Sequence, residues 1–163
     1  MNDYWLIGLI IFFAVSLIVG PIFMFQPSQR DRRLANLRTA AAQKGIHVRL
    51  VHIEFTADKP RELAVYSKSI DNDDKHQQSD WVLLKTPMNH EIHFMGQWDW
   101  QERNRQAPEI CHPALKKWLH ELPDAIYGVG FYRSSIGVYW KEATLTIDEI
   151  EQFIDQLTAL INV

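Results

Sequence analysis

At 163 residues, 47% of them hydrophobic and with six tryptophans and eight phenylalanines, the chain is long enough for one packed core and too apolar for intrinsic disorder. Seventeen basic against 20 acidic side chains give a net charge of −3, which argues against nucleic acid as the main partner. The lone cysteine, Cys111, excludes an intrachain disulfide and lies too far from the N-terminus to carry a lipid after leader cleavage.

Trp5 to Phe25 reads WLIGLIIFFAVSLIVGPIFMF, without a charge. At 1.5 Å rise per residue such a helix would extend about 30 Å, the depth of a bilayer's hydrocarbon core. The stretch therefore predicts a transmembrane anchor over residues 1–27. A cleaved signal peptide fits less well: Met1-Asn2-Asp3 holds no basic side chain, and the apolar run exceeds the usual length. Arg30, Arg32, Arg33, Arg38 and Lys44 follow the run, opposed only by Asp31. Basic residues flanking a span stay on the cytoplasmic side, so the expectation is a single-pass inner-membrane protein with its C-terminal domain in the cytoplasm.

Residues 28–45 predict a basic juxtamembrane helix. Ser28 and Asp31 are spaced as a capping box, and Gly45 is placed to end the helix. Arg30, Arg32, Arg33 and Arg38 are the candidate membrane-surface residues, suited to anionic headgroups in a lipid bilayer. Residues 28–49 hold six basic and one acidic side chain, whereas residues 50–163 hold 11 basic and 18 acidic.

Residues 46–163 predict one cytoplasmic domain. Strands are expected over 46–55, 63–70 and 81–86, the first with a phase change near Leu50-Val51 that suggests a bulge or burial on both faces. Alternation of Ile92, Phe94, Gly96, Trp98 and Trp100 predicts a fourth strand. Pro113 opens a short helix buried through Leu115, Trp118, Leu119 and Leu122. Strands over 125–132 and 136–142 are joined at Arg133-Ser134-Ser135. A last helix is capped by Thr146 and Glu149 and buries Ile150, Phe153, Ile154, Leu157 and Ile161. The order predicts an α+β fold, an antiparallel sheet of about six strands with two helices.

Chemistry-bearing clusters are few. His90-Glu91-Ile92-His93 has histidines three apart, not the four of a helical zinc motif, so no metal site is assigned. Asp71, Asp73 and Asp74 resemble a calcium loop, but His76 and Val82 stand where Gly and Glu are needed. Cys111-His112 are sequence neighbours, and catalytic pairs usually meet across a fold instead. Trp98, Trp100, Trp118 and Trp140 fall on core faces. Gly128-Val129-Gly130 precedes a hairpin, not a helix, so no phosphate loop and no cofactor is implied.

The segment IFMFQPSQRDRRLANLRTAAAQKGIHV, Ile22 to Val48, resembles the start of the YajC family of Sec translocase accessories. Pro27, Gln29, Arg30, Arg32, Arg33, Lys44 and Gly45 carry the likeness, over about a sixth of the chain. The chain as a whole is similar to single-pass membrane proteins of proteobacteria. The resemblance implies an accessory subunit of an inner-membrane complex. The residues themselves point to a non-enzymatic interaction domain with a protein partner at the membrane. The competing expectation is a membrane-anchored enzyme or ligand binder using His90, His93, Asp99 or Cys111.

Overall fold

The computed structural model describes residues 4–24, 28–53, 61–70, 80–86, 94–142 and 144–161. The chain divides into two compact units, Met1–Asn36 and Leu37–Val163.

The first unit holds α1 (Tyr4–Met24) and the start of α2 (Gln29–Gln43). The expectation of a single-pass transmembrane anchor is corrected here. Among the described residues no helix is long and apolar enough to cross a membrane. The side chains of Tyr4 to Val19 are all exposed. At the start of α2 the expected capping box is formed. The Asp31 amide donates to Ser28 Oγ at 3.2 Å, and Asp31 Oδ2 accepts from the Ser28 amide at 3.1 Å.

The second unit is an α+β domain on one six-stranded antiparallel sheet of order β1-β2-β6-β5-β3-β4. The strands are β1 (His47–Ile53), β2 (Arg61–Ser69), β3 (Trp81–Lys85), β4 (Trp98–Trp100), β5 (Ile126–Tyr132) and β6 (Ser135–Trp140). One 3-10 turn, Glu109–Cys111, leads into α3 (His112–Glu121), and α4 (Ile147–Ile161) closes the chain.

α2 ends as its glycine predicts. Gly45 takes φ 71°, the Gly45 amide donates to the Ala42 carbonyl and the Ile46 amide to that of Ala41, each at 3.0 Å. Those are the two bonds of a Schellman motif, and the buried Ala41 and Ile46 supply its apolar contact. The second capping box is also formed: Glu149 Oε2 accepts from the Thr146 amide at 2.7 Å and from its hydroxyl at 2.8 Å.

One face of the sheet carries the main core. Tyr66, Val138, Trp140, Val129 and Leu83 point toward α4 and α3, whose Ile150, Ile154, Leu157, Leu115 and Trp118 are buried against them. Each fully buried aliphatic of this kind contributes about 1.5–3 kcal/mol. The opposite face holds a smaller cluster of Ile53, Leu63, Val65, Leu84 and Tyr139. Among the described residues no helix contributes to that cluster.

Three strand expectations change. β1 pairs with β2 in unbroken register from His47↔Ser67 to Ile53↔Arg61, so it carries no bulge. Its alternation is irregular because it is an edge strand, on which Arg49 and Leu50 both stay exposed. The register shift lies instead in β5, between Ile126 and Gly128. Of the fourth expected strand, Ile92 lies outside the described residues, and the described part is a strand only over three residues, because Gly96 takes φ 55° and turns the chain, bridging Met95 to Trp98. The β5–β6 turn is two residues long: Arg133 and Ser134 adopt φ 48° and 59°, the type I′ pattern whose twist suits a hairpin.

Candidate functional site

The helix-free face of the sheet is the candidate site, and strand register decides what it displays. Arg49 pairs with Val65, Val65 with Tyr139 and Tyr139 with Gly128. The next row on the same face runs His47, Ser67, Gly137, Gly130. Two glycines thus face each other across the β5–β6 ladder, and both line the floor of a trough while staying buried between neighbouring side chains. That floor is tight along its edge with β3. A Cβ on Gly130 would sit 2.7 Å from the Trp81 carbonyl oxygen.

Long side chains border this floor. The Tyr132 ring has the Arg49 guanidinium 5.6 Å from its centroid and the Arg133 guanidinium 5.1 Å away. The two cations therefore lie within about 11 Å of each other. Such stacking orients a guanidinium without using its N–H donors. Tyr139 is buried, and burial is the main cause that raises its phenol pKa, with Arg49 pulling the other way. The turn is pinned from below: the Arg133 amide donates to Asp80 Oδ1 at 2.9 Å and the Ile70 amide to the Ser134 carbonyl at 2.9 Å.

Two adjoining troughs result, sharing Arg49, Tyr132 and Tyr139. One, of about 260 Å³, lies over Gly130 and Gly137 with Ser67 and Arg133 at its sides. The other, of about 280 Å³, continues toward Val82 and Arg105.

A second polar cluster lies within the second unit, around Arg38. Arg38 binds Glu142 through two parallel N–H···O bonds of 2.8 and 2.7 Å, and the Tyr66 hydroxyl donates to Glu142 Oε1 at 2.8 Å. The Glu142 carboxylate raises the Arg38 pKa; the Tyr66 pKa rises chiefly through burial and then through the same carboxylate. Glu142 itself adopts φ 41°. Lys44 reaches Asp148 at 2.7 Å and Glu151 at 2.6 Å, adding a second link from the end of α2 to α4.

The structure separates the sequence candidates. His90 and His93, like Asp71, Asp73 and Asp74, lie outside the described residues. Asp99 alternates to the sheet face opposite Trp98 and Trp100, and its Oδ1 accepts from the Trp100 amide at 2.9 Å. Cys111 is 4% exposed in the turn before α3, and burial pushes its thiol pKa up. His112 is engaged elsewhere, its Nε2 donating to the Ala107 carbonyl at 2.8 Å beside the Phe94 and Trp100 rings. The native protein should therefore react with a thiol-specific disulfide reagent at least about tenfold more slowly than the urea-unfolded chain. Equal rates would show that Cys111 is accessible.

Trp98, Trp100, Trp118 and Trp140 are all buried, and the Trp118 indole donates to Gln156 Oε1 at 2.8 Å. The indole N–H groups of Trp81 and Trp140 find no acceptor among the described residues. No group of three or more His, Cys, Asp or Glu side chains among the described residues could hold a metal ion. Of the four candidate membrane-surface arginines, Arg38 is committed to Glu142, while Arg30, Arg32 and Arg33 lie on the exposed first turns of α2. Arg49, Tyr132 and Arg133 escape a reading of the sequence, since neither periodicity nor a motif marks them.

Comparison of the chain with protein-family models, with curated proteins and with solved structures finds no match.

Proposed function

We propose that this chain is a non-enzymatic interaction domain, an accessory component that holds a protein partner beside a lipid bilayer. The observation that carries the reading is the helix-free sheet face, where arginine and tyrosine side chains border an open trough with a glycine floor. A surface of aromatic and arginine side chains is the composition enriched at protein interfaces. Asp99 and Cys111, by contrast, sit on separate elements, the second buried in a turn.

The lipid contact rests on α1. Its described side chains are uncharged and exposed around the whole helix, from Tyr4 to Val19. Arg30, Arg32 and Arg33 supply positive charge suited to anionic headgroups on the cytoplasmic side.

Purification of the full chain in mild detergent, coupled to flotation with anionic vesicles, tests both halves. The expected result is a reproducible protein partner, together with flotation that is lost when residues 1–27 are removed. A monodisperse monomer without a reproducible partner would overturn the interaction reading. Full-length chain that stays at the bottom of the gradient would overturn the lipid contact.

A further inference from the structure

We propose that the trough over Gly130 and Gly137 is a docking surface for an extended, acidic peptide segment of a partner protein, gripped by Arg49 and Arg133. This deepens the interaction-domain reading and rests on it.

Charge supplies the first argument. Arg38, Lys44, Lys68, Lys85 and Arg105 each reach a carboxylate, at 2.6 to 3.7 Å. Arg49 and Arg133 have no carboxylate among the described residues; each meets only the Tyr132 ring. Acidic side chains outnumber basic ones by 20 to 17 in this chain, yet two neighbouring guanidiniums keep their donors open toward one trough. Each guanidinium can grip a carboxylate through two parallel bonds, the geometry that makes such pairs strong and directional.

Shape supplies the second. A compact anion is favoured by an enclosed nest of donors, whereas these two adjoining troughs run over open sheet and share their lining at Arg49, Tyr132 and Tyr139. Alternate side chains of an extended peptide lie about 7 Å apart on one face, within the separation that the two guanidiniums allow. Gly130 and Gly137 raise no side chain into the trough that they line. Tyr132 and Tyr139 offer the intervening residues an aromatic wall, the usual partner for apolar side chains in such grooves.

The test uses the full chain in detergent micelles and a fluorescein-labelled peptide of alternating glutamate and valine, followed by fluorescence anisotropy. Its counterpart carries lysine in place of glutamate. The expected result is saturable binding of the acidic peptide alone, weakened by added salt and at least about tenfold by R49A/R133A. The charge-reversed R49E/R133E protein should instead prefer the lysine peptide. Both variants alter exposed side chains, so their melting temperatures should match wild type. Equal binding by R49A/R133A, or no saturable binding by wild type, would overturn the proposal. So would full displacement of the peptide by low-millimolar inorganic phosphate, which would reveal a site for any small anion. A co-purifying partner that R49A/R133A retains in full would overturn this site while leaving the interaction-domain reading intact.

Discussion

Replacing Glu142 with alanine is expected to destabilise the folded unit by about 3 kcal/mol, a fall of roughly 10–15 °C in melting temperature for a domain of this size. The carboxylate is only 10% exposed and satisfies two partners at once, the Arg38 guanidinium and the Tyr66 hydroxyl. Removing it leaves a cation and a phenol that each lose a charge-assisted bond. Arg38 is 36% exposed, so water recovers part of the loss and holds the cost below that of a fully buried pair.

Two further variants separate the contributions. Arg38→Met should cost somewhat less than Glu142→Ala, and the double variant less than the two combined, with a coupling of about 1–2 kcal/mol. Glu142→Gly should be milder than Glu142→Ala by about 1 kcal/mol, because φ 41° strains any side-chain-bearing residue and glycine relieves it. Thermal melts followed by circular dichroism read all four proteins. An alanine variant melting within two degrees or so of wild type would show that the triad holds nothing together.

Gly130→Ala is the second large effect, about 2–3 kcal/mol. The new methyl would lie 2.7 Å from the Trp81 carbonyl oxygen and 3.1 Å from Val82 Cα, both backbone atoms of the paired strand β3. Backbone cannot rotate aside as a side chain can, so the β3–β5 ladder must open. Gly137→Ala is the control. Its methyl would meet the Val65 and Ser67 side chains at 3.1 and 3.3 Å, and the Tyr66 carbonyl oxygen only at 3.5 Å. Small shifts accommodate those contacts, and alanine gains strand propensity over glycine, so the net cost should stay within about 1 kcal/mol. Equal destabilisation by the two substitutions would show that the backbone contact at Gly130 does not decide the outcome.

The hairpin shows how much of the site is legible in the amino-acid sequence alone. A two-residue turn at Arg133-Ser134 forces Tyr132 opposite Ser135 and therefore Gly130 opposite Gly137. The glycine floor is within reach of the sequence, but Gly128-Val129-Gly130 invites comparison with a phosphate loop instead. The expected three-residue turn shifts that register and hides the pair. Arg49 is out of reach. It joins Tyr132 only because β2 and β6 lie between β1 and β5 and because its own strand keeps an unbroken register with β2.

Arg38 carries the same lesson with the opposite sign. Its place among Arg30, Arg32 and Arg33 suggests a headgroup contact, yet its partner lies 104 positions further along the chain. For α1, the sequence supplies an uncharged run, and an oriented anchor is the expectation drawn from it and from the flanking charges. The described residues do not carry that reading across a bilayer, since no helix among them is long and apolar enough to cross one.

By itself the sequence determined what is local: both capping boxes, the Gly45 stop, the hairpin between β5 and β6, the apolar stripe of α4 and the α+β class. Each of these depends on residues within a turn or two of one another, so spacing alone encodes them. Strand order, the Arg38–Glu142–Tyr66 triad and the meeting of Arg49 with Arg133 over one tyrosine were decided by tertiary structure. They depend on which distant strands pair, and that is settled by the collective burial of Trp81, Trp140, Leu157 and their neighbours rather than by any short motif.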